Sequence, residues 1–98
     1  MRTLMTVQME TEATNHAIQD GSLAKTMEST LEQLHAEAAY FTTRDGERTA
    51  YIVFDLNDTT QIPSIAEPFF MGLNAKIDLA PVMNADDVQE GLARLPHR

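Results

Sequence analysis

The chain of 98 residues contains no cysteine. That absence excludes disulfides, thiolate zinc sites and thiol nucleophiles together, and it permits a reducing compartment. Basic residues are scarce as well: seven Lys and Arg stand against fifteen Asp and Glu, a net charge of −8. Such a surface is repelled by nucleic-acid backbones and anionic membranes unless a basic patch intervenes. None does, because Arg44 and Arg48 flank a tight turn and are interrupted by Asp45 and Glu47. Long hydrophobic runs are missing too. No window approaches the ~20 apolar residues that span a bilayer, and Leu4–Gln8 is too short and too polar for the apolar core of a secretory signal. The expectation is a soluble, cytoplasmic protein with neither nucleic-acid nor membrane partners.

An apolar content of 43% is what remains to build with, and a chain of this size buries roughly 60–70% of its unfolded surface. One domain over residues 1–98 is expected, without repeats or linkers. Its clearest local signal is Asp45-Gly46, a pair that accepts the positive φ angles of a two-residue type I′ hairpin turn. The flanks Ala38–Arg44 and Arg48–Leu56 are rich in β-branched and aromatic residues, as strands are. Thr3–Met9 alternates, with Met5, Val7 and Met9 on one side, and Ala75–Met83 repeats the scheme with Ile77 and Leu79. Pro81 has no N–H to give, which predicts that this strand lies at a sheet edge or ends near there.

Between the first strand and the hairpin, Leu23, Met27, Leu31 and Leu34 recur at three- and four-residue steps, one apolar stripe of a helix. Thr14–Asp20 predicts a shorter helical stretch before it, and Gly21 a break, with Ser22 as the new N-cap. Thr59–Met71 predicts a second helix in which Pro63 suits the first turn and Pro68 forces a kink or restart. Asn84 caps a short last helix whose stripe is Val88, Leu92 and Leu95, ended by Pro96.

The order strand–helix–strand–strand–helix–strand, with a short C-terminal helix, predicts an α+β, ferredoxin-like βαββαβ fold: a four-stranded antiparallel sheet with helices on one face. The helix-facing side takes Met5, Val7, Met9, Ala39, Phe41, Ala50, Ile52, Phe54, Ile77 and Leu79. The other side collects Leu4, Thr6, Gln8, Tyr40, Thr42, Tyr51, Val53, Asp55, Lys76, Asp78, Ala80 and Val82. Half of that side is apolar, and an exposed apolar patch marks an interaction surface. Twofold pairing of two such faces would cover it, so a homodimer is expected.

The element order over nearly the whole length resembles the dimeric α/β-barrel superfamily. That group includes muconolactone isomerase-like proteins, small cofactor-free monooxygenases and stress-responsive barrel proteins. Ile62–Phe70 followed by Ala75–Met83 resembles its small uncharacterised members in particular. The resemblance implies two sheets facing each other around a cavity. It carries over no catalytic residue.

Candidate chemistry is sparse. His16, preceded by Asn15, follows the first strand and has an intrinsic pKa suited to proton transfer. It stands four residues from Glu12 and from Asp20, but two ligands without a third do not make a metal site, and no metal is expected. Asp55 and Asp78 fall on the same sheet face and could share acid–base work. The plainer account has Asp55 capping a loop with Asn57 and Asp58, and Asp78 paired with Lys76 or Arg2. Tyr40 and Tyr51 offer apolar area with a hydroxyl tip, for a ligand or an interface. Glu67 stands at a cavity mouth or in water, Phe69-Phe70-Met71 reads as core, His35 closes a helix, and His97 lies in the tail. No phosphate loop, nucleophile elbow or His-Glu-x-x-His motif is present. Two functions follow. One is a homodimer that holds a small apolar or aromatic ligand between its sheets, with Asn15, Tyr40, Tyr51, Glu67 and Asp78 as ligand contacts. The other is a cofactor-free isomerase or monooxygenase acting on an aromatic or lactone-like substrate, with His16 or Asp55 moving the proton.

Overall fold

The computed structural model describes residues 1–96, so His97 lies outside the described residues. Along the chain run β1 (Arg2–Gln8), α1 (Thr11–Gln19), α2 (Ser22–Leu34), β2 (Ala38–Arg44), β3 (Glu47–Asp55), a short 3-10 turn (Thr59–Gln61), α3 (Ile62–Leu73), β4 (Lys76–Pro81) and α4 (Ala85–Ala93). The hairpin turns where its residues allow it: Asp45 has φ 53° and Gly46 φ 78°, the two positive angles of a type I′ turn.

The four strands form one antiparallel sheet in the order β2-β3-β1-β4. The chain reaches β2 from β1 through α1 and α2, skipping over the place β3 then fills. It reaches β4 from β3 through α3, skipping over β1. Each crossover therefore joins two parallel strands with an antiparallel one between them, and the two crossovers interlock. The result is an α+β fold with a four-stranded antiparallel sheet and four helices.

Strand alternation decides what is buried. Met5 and Val7 of β1 sit opposite Ile52 and Ala50 of β3, and all four are fully buried. Phe54, Ile65, Phe69, Leu73 and Ala17 complete the core with residues from α1 and α3. A fully buried Ile or Phe contributes about 1.5–3 kcal/mol by leaving water, so the central strands and α3 supply most of the stability. Leu23, Met27, Leu31 and Leu34 of α2 pack against this core but stay half-buried.

Several expectations need correction. Phe41 is 56% exposed rather than core, because β2 is the sheet edge and α2 leaves a groove beside it. Of Phe69-Phe70-Met71 only Phe69 points inward, while Phe70 is exposed and Met71 is 76% exposed; successive helical residues step around the axis and cannot share a face. Pro68 does not restart α3, for the helix runs unbroken from Ile62 to Leu73. Ser64, whose carbonyl Pro68 leaves without an amide, lies with it on the exposed side, where water can serve. Ser22 is not the cap of α2. Gly21 holds that position at φ 83°, and the Asp20 carboxylate accepts the Ser22 N–H at 2.8 Å.

Caps elsewhere follow the sequence. Asp58 accepts the Thr60 N–H at 3.0 Å, and Gln61 returns the favour by accepting the Asp58 N–H at 3.1 Å. Asn84 and Asp87 form the same reciprocal box on α4. The hydrogen bonds from Ser22 and Thr60 hold the carboxyls of Asp20 and Asp58 below the ordinary value of 3.8. All of α4 is exposed, including Val88 and Leu92, and so is Leu95 just beyond it. Its lack of packing lengthens the molecule: the radius of gyration is 15.9 Å, against about 13 Å for a compact chain of 100 residues. No helix among the described residues is long and apolar enough to cross a membrane.

Three outcomes are expected. Phe69→Ala should cost about 3–5 kcal/mol in denaturant unfolding, whereas Met71→Ala, two residues on in the same helix, should stay within about 0.5 kcal/mol. Thr14 is fully buried on α1 with its hydroxyl lacking a partner; Thr14→Val keeps the shape and should stabilise by about 1 kcal/mol. The third concerns acid. Asp20 and Asp58 titrate lower folded than unfolded, so their contribution is present above the unfolded value of 3.8 and is lost as pH falls through the folded values. The Asp20→Asn/Asp58→Asn pair keeps acceptor oxygens at both caps and should lose less melting temperature between pH 5 and pH 2 than the parent. Superimposable pH profiles would refute the assignment.

Candidate functional site

The face of the sheet turned away from α1–α3 is ordered in rows. Strand pairing aligns Ala38, Val53, Leu4 and Ala80 across the four strands. The next row is Tyr40, Tyr51, Thr6 and Asp78, and the one after it Thr42, Thr49, Gln8 and Lys76. Facing residues on paired strands bring their Cβ atoms to about 4.5–5.5 Å, so each row is a contact line roughly 14 Å long. The face thus grades from apolar, through aromatic with one carboxylate, to polar and charged.

The middle row unites three of the residues singled out from the sequence. Tyr40 is 69% exposed on the edge strand, and Tyr51, directly opposite, is half-buried. Asp78 closes the row on the other edge, exposed and without an ion pair among the described residues, Lys76 and Arg2 included. Thr6 between them is buried by its neighbours.

Asp55 lies on the same face but at its end, opposite Arg2 in register. It does not cap the following loop with Asn57 and Asp58; its carboxylate takes the amino group of Met1 instead. Arg2 binds Glu37 at 2.9 Å and Asp87 at 3.4 Å, tying this corner to the start of β2 and to α4. The hydrogen bond that Arg2 donates to Glu37, and then that carboxylate's charge, hold the Arg2 guanidinium above its ordinary value.

His16 and Asn15 are exposed on α1, and Glu67 is exposed on α3. All three belong to the helical layer, across the sheet from the tyrosines. Asp20, one of the two carboxylates near His16 in sequence, is engaged with the Ser22 N–H. Among the described residues no three His, Asp or Glu side chains come together as a metal site would need.

A second feature escaped the sequence. On the helical side, a groove of about 600 Å³ opens between α1, α2 and the turn end of the hairpin, within the roughly 300–1,000 Å³ typical of ligand pockets. Met9, Ile18, Leu23, Met27 and Phe41 line it, with Arg48 as the one charged side chain. The break at Gly21 was legible. The angle it sets between α1 and α2, which leaves the groove open, was not.

The sequence pattern of a family described as a domain of unknown function, DUF3303, matches residues 1–96. No curated protein matches the chain. Since that match runs from the start of β1 to the turn beyond α4, the chain belongs to the DUF3303 family.

Proposed function

We propose that the protein is a ferredoxin-like protomer of a homodimer of the dimeric α/β-barrel kind, which holds a small apolar or aromatic ligand between two facing sheets. The observation that carries this reading is the row Tyr40–Tyr51–Thr6–Asp78 flanked by the apolar row Ala38–Val53–Leu4–Ala80. A face left to water needs no such aromatic and aliphatic lines, and Leu4, Tyr40, Tyr51, Val53 and Val82 together form the kind of patch that partners cover. The interlocked crossovers support the ferredoxin-like assignment, since they put the helices of both connections on one side and leave the other bare. Twofold pairing doubles the aromatic row, so a ligand between the sheets meets tyrosine rings on both sides and hydroxyls at their tips. Asp78 gives that space one acceptor, which favours ligands carrying a hydroxyl or amine.

A second reading, cofactor-free isomerase or oxygenase chemistry, is favoured by that same carboxylate. Asp78 stands in line with the tyrosines that would orient a ring, two strands from Tyr51 with Thr6 between them. In this reading the tyrosines position the substrate and Asp78 takes the proton. His16 and Asp55 would act only on a substrate extending past the row.

Light scattering on the full chain at micromolar concentration tests the assembly: a two-chain mass is expected, and a single-chain mass removes both readings. Tyr40→Glu, a change at a site already open to solvent in the single chain, should yield monomers with an unchanged far-UV spectrum. Tyr51→Ala should weaken an aromatic fragment that binds the parent by at least about tenfold.

A further inference from the structure

We infer that the groove between α1, α2 and the hairpin is a second binding site, built for a small amphipathic anion: a carboxylate carried on an aliphatic chain or an aromatic ring. It lies across the sheet from the face proposed above and needs no second copy of the chain.

The apolar half of the argument is the lining. Phe41 and Ile18 are large side chains left 56% and 48% exposed, and both border this one concavity together with Leu23 and Met27. Scattered apolar residues on a surface need no explanation, but several converging on one groove do. Two of the lining residues, Met9 and Met27, are flexible and polarizable, the side-chain type that adapts to ligands of differing shape.

Arg48 supplies the other half. In a chain with seven basic residues and fifteen acidic ones, a guanidinium has carboxylates in plenty to choose from. Arg2 takes Glu37 and Asp87, and Arg94 takes Glu90. Arg48 takes part in no ion pair among the described residues, although it is half-buried. Arg44 is unpaired too, but it sits exposed at the hairpin end, where water suffices. Arg48 thus places a guanidinium without a protein carboxylate at the border of an apolar groove, where an anion with an apolar body meets both features at once. Glu47, its neighbour in sequence, falls on the opposite face of the sheet by strand alternation and receives the Gln8 amide there. Thr43 lies directly across from Arg48 in register and also lines the groove, so a hydroxyl donor stands beside the guanidinium. An arginine fork is shaped to take a carboxylate by two hydrogen bonds, while the apolar remainder of the ligand lies over Leu23, Met27 and Phe41.

Calorimetric titration of the full chain with decanoate and with decanol separates charge from greasiness, since the two differ only in the head group. Decanoate should bind at least tenfold more tightly than decanol. Arg48→Gln should erase that difference while leaving decanol binding as it was, and Arg48→Lys should recover part of it. Leu23→Asp should abolish both. Amide chemical shifts of the unmutated chain give a test free of folding defects: decanoate should move residues 18–27 and 41–49 and spare Tyr51 and Asp78. Equal affinity for the two probes, no binding of decanoate, or shifts confined to the tyrosine row would each overturn the assignment. Tyr40→Glu should leave decanoate binding intact. A monomeric parent that still binds decanoate would sink the sheet-face reading and leave this one standing.

Discussion

Everything in this molecule depends on β1 being paired along both edges. It bonds to β3 on one side and to β4 on the other over nearly its whole length, and its Met5 and Val7 are fully buried. A strand in that position cannot slip by one residue without turning Met5 and Val7 out and Leu4, Thr6 and Gln8 in. The interlocked crossovers make the constraint mutual: β2 and β4 are kept apart by β3 and β1, and each edge is fixed only through the pair in the middle. The rows across the open face follow from that register alone. They are a surface feature written by the core.

The same logic divides the polar residues into two populations. Residues on even positions of β1 and their partners look outward, and there Tyr40, Tyr51 and Asp78 are brought into one line. His16, Asn15 and Glu67 ride on helices whose inner stripes are spent on the core, so they look into solvent on the far side. Histidine and carboxylate therefore do not meet, and any acid–base chemistry on the sheet would have to proceed through the carboxylate.

How much of this could be read from the residues depends on the range of the interaction. Period-two alternation in Thr3–Met9 and the Asp45-Gly46 turn are local, and they separate the two faces of β1 and place the hairpin, whereas the rows across the open face, Ala38 and Thr49 among them, depend on the register between strands. Capping was legible in kind but not always in detail: Asp20 rather than Ser22 serves α2, because a positive-φ glycine between them lets the carboxylate reach back. Burial of Phe41 was misjudged because it depends on where α2 lies, which no residue of β2 encodes. The restart expected at Pro68 failed for a similar reason. The proline's local cost is real, but packing of Ile65, Phe69 and Leu73 along one side keeps the helix whole. The groove is the extreme case, a void between three elements whose relative angles are set by the assembled core.

The gradation of the open face has a geometric consequence for any twin. Two sheets can be stacked by a twofold axis lying along the strands or across them. An axis across the strands would set the aliphatic line of one copy against the threonine–lysine line of the other. An axis along them lays like upon like, within the roughly 30° offset that stacked sheets adopt. That choice also exchanges left edge for right edge, which would bring the Tyr40 hydroxyl of each copy over the Asp78 carboxylate of the other and Tyr51 over Thr6. The line of four is thus nearly its own complement when reversed, a donor at one end answering an acceptor at the other.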